Sequence, residues 1–77
     1  MKIEVFGTGC AKCKTTKAII KDVLEKHNFS AELLEVNEIG EIIERGVVMT
    51  PAVAIDGKVM VSGRVPSEDE VVKLLGL

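Results

Sequence analysis

Both cysteines of the chain stand in one tetrapeptide, Cys10-Ala11-Lys12-Cys13, directly after a glycine loop, Gly7-Thr8-Gly9. At the start of a helix, residues three apart share a face, so the two sulfurs can meet. The free amides of a first helical turn and the positive end of the helix dipole favour a thiolate on Cys10, and Lys12 and Lys14 add positive charge nearby. Lowering a thiol pKa from about 8.5 to about 6.5 raises the thiolate fraction at neutral pH roughly 25-fold, while intrinsic nucleophilicity falls roughly 6- to 10-fold. Attack therefore gains little. Better leaving-group ability and a second thiol always within reach matter more, and both point to thiol–disulfide exchange.

Other uses of a cysteine pair fit less well. A stabilising disulfide closing so short a loop contributes only about 2 kcal/mol, against about 3 for a 15-residue loop. A structural zinc ion needs four ligands; the pair supplies two, and His27 at the far end of the predicted helix cannot fold back to join them, so no metal site within the chain is expected. A glycine loop, CxxC and lysine-bearing helix also resemble heavy-metal-associated copper chaperone domains. Those run strand, helix, strand, strand, helix, strand and usually carry Met two residues before the first cysteine, where this chain has Thr8. A module binding copper(I) or zinc at the same cysteines is the alternative to exchange. Gly7 and Gly9 do not make a dinucleotide loop, because Lys12 stands where the third glycine of GxGxxG belongs.

The elements that must position the cysteines can be read from periodicity. Lys2 to Phe6 alternates charged and apolar residues, a strand with one face more heavily covered. Ile19, Ile20, Val23, Leu24 and His27 recur at helical spacing, so Ala11 to His27 is an amphipathic helix, with Asn28 as its left-handed stop. Ala31 to Val36 is a second strand. Ile39, Ile42 and Ile43 give a short helix between Asn37, a candidate N-cap, and Gly46. Ala52 to Ile55 and Lys58 to Val61 flank Asp56-Gly57, a two-residue hairpin turn. Ser67 and Glu70 form a capping box ahead of Val71, Val72, Leu74 and Leu75, and Gly76 ends that helix. A right-handed crossover puts the first two strands parallel and adjacent. The expected fold is α/β: a four-stranded mixed sheet, order 2-1-3-4, flanked by helices.

Seventy-seven residues make one small domain, spanning 1–77. Eleven Val, seven Ile and six Leu supply an aliphatic core. A domain this short buries only about 60% of its unfolded surface, which argues against a large catalytic pocket. A net charge of −2 and only two aromatics, Phe6 and Phe29, argue against binding nucleic acid through phosphates or stacked bases. No apolar run approaches the ~18 residues of a membrane span, and no signal-peptide core follows Met1-Lys2, so the cytosol is the expected location. There a CxxC is redox-active or metal-binding rather than structural.

Cys10 and Cys13 follow the first strand, Thr50-Pro51 precedes the third, Asp56-Gly57 turns the hairpin and Gly63 precedes the last helix. With these features the chain resembles, over nearly its whole length, the small thioredoxin-like, glutaredoxin-sized proteins of prokaryotes often called redox-active disulfide proteins. The resemblance implies a thioredoxin-like fold and a thiol–disulfide oxidoreductase in which Cys10 attacks and Cys13 resolves. It implies a cis Thr50–Pro51 bond whose backbone groups meet the partner, with Gly9, Ala11 and Lys12 completing the binding surface. No cofactor is expected. The implied partners are disulfide-bearing proteins and an unidentified reductase or small thiol, acting on a monomer.

The chain departs from the family pattern at several positions. Ala11-Lys12 is neither the Gly-Pro typical of thioredoxin nor the Pro-Tyr of glutaredoxin, and Gly9 stands where thioredoxin has Trp. No acid clearly matches thioredoxin's buried Asp; Glu4 reads as a solvated strand charge. Gly63-Arg64 reads as a capped loop with a solvated arginine, and Met49 and Met60 as core or site-rim packing. Residues 10–21 carry four lysines and no acid, whereas Glu32, Glu35, Glu38, Glu41 and Glu44 form an acidic stretch. Lysines beginning at the cysteines would steer a partner with acidic residues around its thiols.

Overall fold

The computed structural model describes residues 1–77. The elements run β1 (Lys2–Phe6), α1 (Ala11–Lys26), β2 (Glu32–Val36), α2 (Ile39–Glu44), β3 (Ala52–Ile55), β4 (Lys58–Ser62) and α3 (Glu68–Leu74). The sheet order is β2-β1-β3-β4, with β1 parallel to β2 and antiparallel to β3, and β3 antiparallel to β4. Both the expected element order and the expected sheet order are observed.

Local signals account for most boundaries. Asp56 and Gly57 take φ of 50° and 87°, the paired positive angles of a two-residue hairpin, and Asp56 Oδ1 accepts the amide of Lys2. Asn28 ends α1 at φ 48°. Ser67 Oγ accepts the N–H of Glu70, but the reciprocal half of the capping box is missing, because the Glu70 carboxylate pairs with Arg64 instead. The second helix differs from expectation at its start. Its N-cap is Glu38 rather than Asn37, and no side chain caps it.

The alternation of β1 sends its side chains into two cores. Ile3 and Val5 meet Val53 and Val61 of the sheet, Ile20 and Val23 of α1, and Val71 and Leu75 of α3. Phe6 meets Val36, Ile42, Val47, Ala52 and Ala54 on the opposite face, which only the six-residue α2 covers. Sheet register puts Leu34, Glu4, Ala54 and Val59 in one row on that second face.

Glu4 is therefore not a solvated strand charge. Its carboxylate is buried and accepts both guanidinium nitrogens of Arg45, at 2.8 and 2.6 Å, while that guanidinium lies 5.2 Å from the centre of the Phe6 ring. A helix too short to cover the row with apolar side chains covers it with its C-terminal arginine. The hydrogen bonds from Arg45 hold the Glu4 carboxyl below the usual carboxylate range, against burial, which pushes the other way.

The sign of the pH dependence follows. With its folded pKa depressed, Glu4 contributes stability above its unfolded value of about 4.3, and that contribution is lost as pH falls through the lower folded value. In Arg45→Met, burial is opposed only by the weaker effect of the Lys2 charge and raises the folded pKa, so the charged carboxylate destabilises the fold at pH 7 and ceases to do so as it protonates. Urea titrations should place the variant's midpoint well below wild type at pH 7, with the gap narrowing toward pH 4. A gap independent of pH would mean that Glu4 is not the group left unpaired.

Candidate active site

Helix α1 begins where β1 ends, and the turn between them fixes both thiols. Cys10 is the N-cap, with extended backbone at φ −68° and ψ 166°, and its Sγ accepts the N–H of Cys13 at 3.4 Å. A cysteine thus fills the position usually held by Ser, Thr, Asp or Asn. Cys10 is exposed, and Cys13, one turn along, is buried against Gly7. A Cβ added at Gly7 would stand 2.3 Å from Cys13 Sγ and 2.8 Å from its Cβ. Only a residue without a side chain lets the helix lie this close to the end of β1.

The two thiols are pushed in opposite directions. The Cys10 pKa is lowered first by a hydrogen bond from the Cys13 thiol and then by the backbone N–H groups of Cys13 and Lys12. Burial raises the Cys13 pKa, and its hydrogen bond to Cys10 raises it further. The acidity of Cys10 therefore comes from hydrogen bonds at the helix start, first-turn amides among them as the sequence suggested, and the added charge of Lys12 and Lys14 is not among its causes. Lys17 is also withdrawn from the site, its Nζ 2.8 Å from Glu35 Oε2. Lys12 and Lys14 are exposed and take part in no ion pair.

The Thr50–Pro51 bond is cis, the isomer that the resemblance implies. Pro51 is buried and its carbonyl accepts the N–H of Gly63 at 2.9 Å. Thr50 lies outside the regular elements, is exposed, and makes no backbone hydrogen bond through its N–H or carbonyl. Thr8 and Thr50 share a groove of about 330 Å³ with Ile39, Ile42, Ile43, Val47 and Val48, so the loop before Cys10 and the loop before Pro51 meet. Gly9, Ala11 and Lys12 are exposed around Cys10. A wider hollow of about 510 Å³ lies between the second half of α1 and the start of β2, and contains neither cysteine.

Arg64 is exposed, as the sequence suggested, and Glu70 holds it through two hydrogen bonds. Of the two readings for the methionines, Met49 takes the rim one, 59% exposed and close to Gly63, and Met60, 40% exposed, is not in the core. His27 is the exposed C-cap of α1. Nowhere do three or more His, Cys, Asp or Glu side chains gather so as to hold a metal ion.

Residues 1–76 match the family model described as thioredoxin domain. The chain belongs to the thioredoxin family. It is 35% identical over 75 residues to a thioredoxin of Methanothermobacter thermautotrophicus, an alignment covering 97% of each chain. It is 39% identical over 69 residues to a thioredoxin of Methanocaldococcus jannaschii, covering 90% of this chain and 79% of that one. Carrying its two cysteines together at the start of α1, the protein is a thiol–disulfide oxidoreductase. The metal-carrier alternative is not favoured: the observed order ends in a helix, unlike copper chaperone domains. Thioredoxins act on disulfides and are re-reduced by an electron donor, which sets the general kind of partner. No helix is long and apolar enough to cross a membrane.

Two outcomes test the geometry. Gly7→Ala should cost on the order of 1–3 kcal/mol in urea unfolding, as overpacking does, and should speed alkylation of Cys13 by displacing it. In the pH profile of Cys10 alkylation, Cys13→Ala should move the midpoint up toward the ordinary thiol value of about 8.5, whereas Lys12→Gln and Lys14→Gln should leave it in place.

Proposed function

We propose that Cys10 is the attacking thiolate and Cys13 the resolving thiol. The observation that carries this is the asymmetry of the pair: one sulfur exposed and made acidic, the other buried and made less so. The Cys10 thiolate attacks one sulfur of a substrate disulfide, and the other sulfur leaves as a thiolate that takes up a proton. While Cys10 is a thiolate, its charge helps to keep Cys13 protonated. Forming the mixed disulfide removes that charge. Cys13 then loses its proton and attacks Cys10 Sγ, which releases the second substrate sulfur as a thiol and leaves a Cys10–Cys13 disulfide. Two electrons and two protons from a reductase or a low-molecular-weight thiol restore the dithiol.

Substrate is held across the site by Thr50 and Pro51 on one side and by Gly9, Ala11 and Lys12 on the other. The free backbone N–H and carbonyl of exposed Thr50 support this reading, because an extended segment can pair with them. The substrates are protein disulfides, and the unpaired Lys12 and Lys14 favour acidic residues near them. The protein acts as a single domain of residues 1–77 and as a monomer, in the cytoplasm, where a dithiol is kept reduced.

The roles separate in two variants. Cys13→Ser can attack but cannot release its partner, so cells expressing it should yield covalent adducts that disappear on reduction. Cys10→Ser should yield none and should lose exchange altogether. Turnover retained by Cys10→Ser would remove the assignment of the nucleophile. Absence of adducts, together with a stoichiometric metal that protects both thiols from alkylation, would favour the metal-binding reading.

A further inference from the structure

Helix α1 carries hydroxyls at two positions only, the adjacent Thr15 and Thr16. Thr16 Oγ1 donates to the carbonyl of Lys12 at 2.8 Å, and Thr15 Oγ1 donates to the carbonyl of Ala11 at 2.9 Å. Neither carbonyl needs this second partner, because in an α-helix each accepts the N–H four residues on. Threonine is a poor choice for helix formation at both sites, since its branched side chain lowers helix propensity. At Thr16 it also buries a hydroxyl on a face otherwise built from Cys13, Ile20 and Val23, where an aliphatic side chain would bring no polar group to satisfy.

The other ends of the same two peptide groups point to a role. The C=O of Lys12 and the N–H of Cys13 belong to one amide, and that N–H donates to Cys10 Sγ at 3.4 Å. The C=O of Ala11 and the N–H of Lys12 belong to the preceding amide, whose N–H also favours the Cys10 thiolate. A hydrogen bond accepted at a carbonyl draws electron density toward the oxygen and makes the N–H of that amide a stronger donor, by roughly 10–30% per bond. Each threonine therefore acts on one end of an amide whose other end serves the reacting sulfur.

We propose that Thr16, and more weakly Thr15, are positioning residues of the exchange reaction, whose hydroxyls polarise and hold in place the amides that donate to Cys10 Sγ. The inference rests on the reading of Cys10 as the attacking thiol and adds to it two residues outside the cysteine motif that govern its reactivity. No proton moves along the row. The Thr16 hydroxyl, the Lys12–Cys13 amide and Cys10 Sγ strengthen one another while sulfur carries charge, and less so once a mixed disulfide has removed it. The two positions differ in access to solvent. Thr16 is fully buried, whereas at exposed Thr15 a water molecule can take the place of the lost hydroxyl.

Four residues at position 16 separate the hydroxyl from the methyl: Thr has both, Thr16→Val keeps only methyls, Thr16→Ser keeps only the hydroxyl, and Thr16→Ala has neither. The readouts are the pH profile of Cys10 alkylation by iodoacetamide and urea unfolding of the same reduced proteins. The alkylation midpoint should follow the hydroxyl. Thr16→Val and Thr16→Ala should raise it by about 0.3 of a pH unit, a twofold change in the acid constant, and Thr16→Ser should restore it. Stability should follow the methyl instead, with Thr16→Ser and Thr16→Ala the less stable pair. Thr15→Val should raise the midpoint less than Thr16→Val does. Should Thr16→Val not fold, Thr16→Ser against Thr16→Ala makes the same comparison.

A midpoint that stays in place without the hydroxyl, or that moves as far in Thr16→Ser as in Thr16→Ala, would overturn the proposal and leave Thr16 as packing. Cys10→Ser distinguishes that failure from a deeper one. If the acidic midpoint disappears in Cys10→Ser but ignores the threonines, only the proposal falls; if it persists there, it belongs to Cys13, and the reading of Cys10 as the attacking thiol falls as well.

Discussion

Two thiols separated by a single helical turn occupy different environments, and what separates them is the distance between the first turn of α1 and the end of β1. At Gly7 the strand has no side chain, so Cys13 sinks against the backbone while Cys10, as N-cap, remains outside. The two consequences depend on each other. Burial keeps the Cys13 proton on sulfur, and that proton is the donor that most lowers the Cys10 pKa. A looser approach would hydrate Cys13, weaken the donor and make the two sulfurs alike. The contrast between an exposed, acidic thiol and a buried, less acidic one thus depends on a packing constraint in the strand rather than on a residue with chemistry of its own.

The opposite face of the sheet is governed by the shortness of α2. Six residues contribute one buried side chain, Ile42, to the core around Phe6. At one end the helix offers Arg45 to cover Glu4; at the other it leaves Ile39 and Ile43 outside, beside Thr8 and Thr50. A longer helix could have covered the row of Leu34, Glu4, Ala54 and Val59 with apolar side chains, as α1 and α3 cover theirs. The buried ion pair and the open groove are thus two results of one economy of chain length.

What could be read from the sequence was mostly what is local. Asp56-Gly57 gives its turn through the backbone angles of two adjacent residues, Ser67 caps a helix three residues away, and the cysteine pair lies within one turn. The family resemblance supplied the isomer at Thr50–Pro51, which base rates alone would have made trans. What could not be read depends on contacts distant in sequence. Glu4 alternates with apolar neighbours as a solvent-facing residue does, and its burial depends on Arg45, 41 positions away. Lys17 looked like part of a basic patch until Glu35 reached it. Glu70 was available both for the capping box and for Arg64, and the bidentate ion pair prevailed. Ile39 and Ile43 had the spacing of core residues; only the length of the helix and the position of the loop at Val47 and Val48 put them outside.

Hydrogen bonding, rather than lysine charge, as the source of Cys10 acidity divides the work of the site in two. Hydrogen bonds from the Cys13 thiol and from first-turn amides act at contact distance, where dissolved ions do not intervene. The Lys12 and Lys14 ammonium groups and the carboxylates of Glu38, Glu41 and Glu44 act through solvent, where the field falls off over about 8 to 10 Å at physiological salt. Reactivity at the sulfur and attraction of a partner therefore respond to different variables. The surface charges can differ among proteins of this fold to suit different disulfides, without altering the thiolate on which exchange depends.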